Sequence, residues 1–127
     1  TGASLALHRG DGRLEVLSCR AEAPCADPVT VVEHAAAYDL VRTGGVTVVS
    51  WSESDADGAI RATTLGDLDV PPRVIAACFA DGEGFCGVPR MAERNGRLLI
   101  ATQEGADLRF VESTDQGRTF QPMTGVR

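Results

Sequence analysis

The most informative segment of the chain is Ser113-Thr114-Asp115-Gln116-Gly117-Arg118-Thr119-Phe120. The side chain of Asp115 can accept hydrogen bonds from the backbone amides of a tight turn. Gly117 can take a positive φ without a steric penalty, and the hydroxyls of Ser113 and Thr119 can satisfy further backbone groups. We expect Phe120 to point inward and anchor the turn. The segment therefore predicts a turn that is held by its own side chains.

Short strands separated by turn residues dominate the rest of the sequence. Apolar and polar residues alternate just before the turn, at Leu108–Glu112, and β-branched residues cluster at Val46–Trp51. Asp57-Gly58 and Asn95-Gly96 are hairpin signals. The remaining predicted strands are Ser4–His8, Arg13–Cys19, Val29–Val32, Tyr38–Arg42, Ile60–Leu65, Val74–Phe79, Val88–Ala92 and Leu98–Thr102. The pattern predicts an all-β chain, although His34–Leu40, with its three alanines, is also compatible with a short helix.

The predicted hairpin occurs three times along the chain. Val46–Leu65 and Leu98–Ser113 each contain an apolar strand, a polar turn and an alternating strand, and Ser4–Cys19 repeats this order. A period of about 40–50 residues with four strands per unit is typical of propeller blades. The units of this single domain would cover residues 1–33, 34–80 and 81–127. A β-sandwich or a barrel is the alternative fold.

The segment Ser113–Phe120 matches S/T-x-D-x-G-x-T-W/F at each defined position. It resembles the Asp-box, or BNR, repeat of sialidases and related β-propellers. There the box forms the turn between the third and fourth strands of a four-stranded antiparallel blade. The resemblance implies a partial propeller of three blades, whose structural box residues are Ser113, Asp115, Gly117, Thr119 and Phe120. Because propellers close with about four to eight blades, it also implies that self-association or a further propeller segment completes the ring.

The same resemblance favours binding or scaffolding over catalysis. In sialidases the arginine of an Arg-Ile-Pro motif grips the sugar carboxylate, whereas this chain has Gly87-Val88-Pro89. Arg90 lies past the proline, on the opposite face of a strand. Tyr38 is the only tyrosine, and no pattern places an activating base beside it. The candidate bases are Glu33, Glu104 and Glu112. We expect a non-catalytic module for a glycan or protein ligand. The alternative is part of a sialidase-like glycoside hydrolase whose remaining blades lie outside this chain.

The four cysteines form two close pairs, Cys19 with Cys25 and Cys78 with Cys86. Neither spacing is that of a zinc knuckle or a thioredoxin-like site. Two local disulfides are therefore the simplest of three connectivities, and four free thiols are the alternative. In the first unit, the Cys19–Cys25 loop would occupy the position of the Asp-box turn. Disulfides indicate an oxidising compartment, so we expect a secreted, periplasmic or cell-surface protein.

Composition excludes several classes of function. The 127 residues carry a net charge of -6, which argues against nucleic-acid binding. All twelve basic residues are arginine, and without a lysine the chain has neither a P-loop nor a Schiff base. No apolar run approaches the ~20 residues of a membrane span. Asp55-Ala56-Asp57-Gly58 lacks the later glutamate of a calcium loop, so we expect no metal and no cofactor. The start at Thr1 rather than Met indicates a processed or excised segment.

Overall fold

The computed structural model describes residues 2–53, 60–65, 73–76, 88–104 and 107–123. These residues form strands, turns and bends with no helix among them, which confirms the all-β prediction. The strands are β1 (Gly2–His8), β2 (Leu14–Arg20), β3 (Val29–Val32), β4 (Ala35–Thr43), β5 (Val46–Glu53), β6 (Ile60–Leu65), β7 (Arg73–Ala76), β8 (Arg90–Arg94), β9 (Arg97–Glu104), β10 (Asp107–Ser113) and β11 (Gln121–Pro122).

The strands form three antiparallel sheets, each made of consecutive strands. Sheet A has the order β1-β2-β3, sheet B the order β4-β5-β6-β7, and sheet C the order β8-β9-β10-β11. Each sheet is thus a meander, in which every strand pairs with its neighbour along the chain. The described strands close no barrel, so the barrel alternative is wrong for this part of the chain.

Two-residue turns set the register of the first hairpins in sheets B and C. Gly44 and Gly45 join β4 to β5 with φ of 56° and 86°, and Asn95 and Gly96 join β8 to β9 with φ of 53° and 79°. Positive φ at both central residues is what a type I′ hairpin requires, because its twist matches that of the strands. The hairpin predicted at Asn95-Gly96 is confirmed. The one predicted at Asp57-Gly58 lies outside the described residues.

Sheet B lies between the other two sheets, and its strand β5 is covered on both faces. On one face, Val49 and Trp51 pack with Leu14 and Val16 of sheet A in one apolar cluster. On the other face, Val48 contacts the turn after β10 of sheet C. This double covering explains why six consecutive β5 residues are buried, polar ones included.

Four details differ from the sequence prediction. The helix alternative at His34–Leu40 is wrong, because Ala35–Thr43 pairs with β5 as a strand. Strand β8 begins at Arg90 rather than Val88, since Pro89 has no N–H to donate to a sheet. The sequence pattern does not predict the two-residue strand β11. Sheet A has three described strands instead of four.

Candidate functional site

The turn between β10 and β11, residues 113–120, is held by a closed network of side chains. Ser113 Oγ donates to Asp115 Oδ1 over 2.7 Å and accepts from the Gly117 amide over 2.8 Å. Asp115 Oδ1 accepts from the Thr119 amide over 2.9 Å, and Thr119 Oγ1 donates to Asp115 Oδ2 over 2.5 Å. Phe120, predicted to point inward, is partly buried. We call this segment the Asp115 turn.

The hydrogen bonds keep Asp115 ionised. Its partial burial acts to raise the pKa, but the bonds from the hydroxyl and amide of Thr119 and from Ser113 outweigh that effect. Together they lower the pKa of Asp115 from 3.8 to about 2. Donors to a carboxylate stabilise its charged form, so the turn is in its bonded state at neutral pH.

The Asp115 turn also docks onto sheet B. Gly117 has a φ of 82°, and a Cβ on it would lie 2.8 Å from Cγ2 of Val48. Thr64 Oγ1 donates to the Gly117 carbonyl over 3.2 Å. The neighbouring Gln116 packs its side chain against Gly44, in the first hairpin of sheet B. The turn is therefore a joint between two sheets as well as a corner of one.

Asp39, which the sequence analysis did not single out, is a second joint between sheets B and C. Its Oδ2 accepts from the Met91 amide over 2.7 Å, and its Oδ1 accepts from the Leu40 amide over 2.9 Å. This carboxylate thereby ties the first strand of sheet B to the first strand of sheet C. The -Tyr-Asp-Leu- context of Asp39 is that of an ordinary strand, so the sequence carried no signal for this role.

Tyr38, the residue that a sialidase-like mechanism would need, packs between sheets A and B. Its ring meets that of His8 edge to face, with centroids 5.5 Å apart. His8 in turn donates from Nε2 to the Ala35 carbonyl over 2.8 Å. Tyr38 also pairs with Trp51 across the strands. These contacts give Tyr38 a packing role.

The carboxylates considered as partners of Tyr38 lie in other settings. Glu112 forms an ion pair with Arg97, at 2.6 Å, on sheet C, and it also accepts from Gln121. Glu33 is exposed beside the end of β3, and Glu104 ends β9. Gly87, which the sequence analysis compared with the arginine of the sialidase motif, lies outside the described residues. Arg90 is exposed at the start of β8.

A buried carboxylate, Glu15, lies at the centre of a charge cluster in the first hairpin of sheet A. Its side chain is 9% exposed, and the guanidinium groups of Arg9 and Arg13 lie 3.1 Å and 3.0 Å from its oxygens. The two arginines offset the cost of burying the charge. The cluster fixes the hairpin between β1 and β2, whose turn also contains Asp11 bonded to the Arg13 amide.

Cys19 and Cys25 form a disulfide, which confirms one of the two predicted pairs and corrects the free-thiol alternative there. It closes the loop between β2 and β3, where the Ala26 amide donates to the Ser18 carbonyl over 2.9 Å. Cys78 and Cys86 lie outside the described residues. Within the described ranges, no three metal-binding side chains come together. The described part of the chain also contains no helix with the length and apolar composition needed to cross a bilayer.

Comparison with known proteins returns no match, either to a protein-family model or to a curated protein.

Proposed function

We propose that this chain is a non-catalytic binding or scaffolding module built from sialidase-like, Asp-box propeller blades. The observation that carries the proposal is the place of the Asp115 turn. The turn lies between the third and fourth strands of the four-stranded sheet C, as an Asp-box does in a blade. It also packs on the preceding sheet, through Val48 and Thr64.

The equivalence of the three hairpins supports the blade interpretation. The cross-strand pairs Leu5–Leu17 of sheet A, Val49–Thr63 of sheet B and Ile100–Val111 of sheet C occupy matching positions in the three hairpins. The next pairs toward the other face are Ala6–Val16, Ser50–Ala62 and Ala101–Phe110. In this alignment the disulfide loop of sheet A corresponds to the Asp115 turn of sheet C. Both close the corner between the same two strands of a blade.

The side chains support binding more than catalysis. Glycine stands at position 87, where a sialidase blade would carry the arginine that grips a carboxylate. Tyr38 is engaged in packing with His8 and Trp51, and Glu112 is engaged by Arg97. A nucleophile with an adjacent activating carboxylate, as glycoside hydrolysis requires, is therefore not assembled from these residues.

Two assays on the purified chain test the proposal. We expect no release of fluorophore from a fluorogenic sialoside, and saturable binding to members of a glycan array or to a protein ligand recovered with the same chain. The Cys19–Cys25 disulfide supports an extracytoplasmic location, so both assays belong under oxidising conditions. Sialoside turnover that is lost in Tyr38→Phe would contradict the proposal and favour the hydrolase alternative.

A further inference from the structure

Each sheet has two faces, and at both interfaces the same kind of face of one sheet meets the opposite kind of face of the next sheet. We call the side turned toward the preceding sheet the front face and the opposite side the back face. The back face of sheet A, with Leu14 and Val16, covers the front face of sheet B, with Val49 and Trp51. The back face of sheet B, with Val48 and Thr64, meets the front of sheet C at the Asp115 turn. Both interfaces therefore join a back face to a front face.

Among the described residues, two faces have no counterpart, the front of sheet A and the back of sheet C. Leu5 on the front of sheet A is 53% exposed, whereas the residues at its position in the other sheets, Val49 and Ile100, are both 0% exposed. On the back of sheet C, Leu108 is 65% exposed, and Phe110 is partly exposed where its equivalent Ala62 is fully buried. These apolar residues share their faces with charged ones, Glu15 on sheet A and Arg94, Arg97 and Glu112 on sheet C. Exposed apolar residues that are grouped on one face can form an interaction site.

The two faces also differ in shape in a complementary way. The back of sheet C has small side chains at Ala92 and Ala101. A cavity of about 350 Å³ at the first hairpin of this sheet is lined by Ala92, Leu99, Glu93, Arg94, Asn95 and Arg97. The front of sheet A presents three larger side chains, Leu5, Leu7 and Leu17. In the interface already formed between sheets A and B, Trp51 of sheet B packs with Ala6, Leu14 and Val16 on the back of sheet A.

Charge gives the pairing a direction. In the interface between sheets B and C, Gln116 of the Asp115 turn packs on Gly44, in the first hairpin of sheet B. The equivalent contact across the two open faces would place the disulfide loop of sheet A against the hairpin of sheet C that carries Arg94 and Arg97. The disulfide loop and the residues that follow it carry Glu22 and Asp27, with Arg20 between the two cysteines. The hairpin carries Glu93 beside Arg94, and its Arg97 is already paired with Glu112. The contact would thus bring Glu22 and Asp27 toward Arg94.

We infer that a second copy of this chain covers both faces. The front of sheet A of each copy would lie on the back of sheet C of the other copy. Each copy carries one face of each kind, so two copies satisfy both, and six sheets fall within the four to eight of closed propellers. The contact joins unlike surfaces, and such contacts form rings when the rotation closes. The inference rests on the proposed function, because it uses the equivalence of the three blades.

Light scattering on the oxidised chain over a range of concentrations tests the inference. We expect twice the 13.3 kDa mass of one chain. Leu5→Asp on the front face and Phe110→Asp on the back face should each weaken association by at least about 100-fold, and Leu108→Asp serves as a second, more exposed back-face variant. Val29→Asp is the matched control, because Val29 is 54% exposed but shares the side of Val16, and it should leave the mass unchanged.

Two further variants test the direction of the contact. Arg94→Glu should weaken association, and adding Glu22→Arg to it should restore part of the loss. An equimolar mixture of Leu5→Asp and Phe110→Asp chains keeps one unaltered pair of faces, and should associate at a higher concentration than the unaltered chain needs. A mixture that stays monomeric throughout, or loss of association in only one of the two face variants, would overturn the pairing of unlike faces.

The mass also separates this inference from the proposed function. A mass that stays at 13.3 kDa up to millimolar concentration would contradict the association of two copies. The proposed binding role would still stand if glycans or a protein bind to the single chain. A two-chain species that hydrolyses the sialoside would support the inference and contradict the proposed function.

Discussion

The two interfaces of the middle sheet are built from different chemistry. Toward sheet A, sheet B presents Val49 and Trp51, which pack with Leu14 and Val16 into an apolar cluster. Toward sheet C it presents the apolar Val48, Ile60 and Ala62 interspersed with Ser50, Ser52, Thr64 and the charged Asp39. Hydrogen bonds cross both interfaces, at Ser4 and His8 toward sheet A and at Asp39 and Thr64 toward sheet C. The first interface is centred on the large Trp51 side chain, whereas the second sets a carboxylate and several buried hydroxyl groups beside its apolar residues. One strand, β5, supplies residues to both.

The largest effect should come from removing the centre of the apolar interface. Trp51 is 1% exposed, and Trp51→Ala should lower the free energy of unfolding by about 3–5 kcal/mol through lost burial and the cavity left behind. Urea unfolding followed by circular dichroism measures the change, because the variant loses the only tryptophan. Val29→Ala, at a 54% exposed position, is the control, and an equal loss in both would contradict the core assignment.

We call the interface between sheets B and C the polar interface. Its closest contact is between the backbone of Gly117 and the side chain of Val48. Gly117→Ala should cost about 2–4 kcal/mol, because the new methyl group overlaps Val48 and the positive φ disfavours a side chain. Gly96 has a φ of 79° with nothing within 4 Å of an added Cβ, so Gly96→Ala should cost only about 1–2 kcal/mol. Urea unfolding monitored by Trp51 fluorescence gives both values. Equal losses in the free energy of unfolding would mean that the contact between Gly117 and Val48 adds no cost beyond that of the positive φ.

The Asp39 joint should rank next. Asp39→Ala leaves the Met91 amide without its acceptor, and we expect a loss of about 1–3 kcal/mol in the free energy of unfolding. Asp11→Ala is the matched control, since Asp11 accepts the Arg13 amide inside one hairpin and joins no sheets. If Asp39→Ala lowers the free energy of unfolding no more than the control does, Asp39 does not stabilise the contact between sheets B and C.

Acid should weaken the polar interface before the apolar one. The folded pKa of Asp115 lies at about 2, below the ordinary value of 3.8. A lowered folded pKa contributes stability that is present above the unfolded value and is lost as pH falls through the folded value. We therefore expect part of the stability to disappear between about pH 4 and pH 2, and Asp115→Asn to flatten that part of the curve. An unchanged slope in Asp115→Asn would exclude this carboxylate as the source.

The smallest effect should follow removal of a buried hydroxyl. Ser50 is 0% exposed, and its Oγ finds no hydrogen-bond partner among the described residues. Ser50→Ala removes an unsatisfied polar atom, so the free energy of unfolding should change by less than about 0.5 kcal/mol or rise slightly. Thr64→Val, which removes the bond to Gly117, should cost about 1 kcal/mol by comparison. A large loss for Ser50→Ala would indicate that a partner, such as a buried water, holds this hydroxyl.

The strands were predictable from sequence because each needs only local information. Alternation located β2 and β10, and the Asn95-Gly96 turn fixed the hairpin between β8 and β9, since few other residues adopt its backbone angles. The helix alternative at His34–Leu40 was wrong because it relied on the three alanines at the start of β4. Their helix propensity is overridden by pairing with β5 along the whole strand.

The joints between sheets could not be predicted in the same way. Nothing in the local sequence of Asp39 indicates that its carboxylate accepts from Met91, 52 residues away. The hydrogen bonds inside the Asp115 turn followed from residue types and spacing, because donors and acceptors lie within six residues of one another. Its approach to Val48 depended on the packing of whole sheets.

The meander order of the sheets has a consequence for synthesis on the ribosome. Domains assemble from the N-terminus as the chain emerges, and the apolar cluster between sheets A and B uses only residues up to Leu65. It can therefore form before sheet C has been translated. During that interval the side of sheet B that later meets sheet C displays Asp39, Ser50 and Thr64 among the apolar side chains of Val48 and Ile60. The polar side chains interrupt this apolar surface while it is exposed, which lowers the tendency of the nascent chain to associate with other chains.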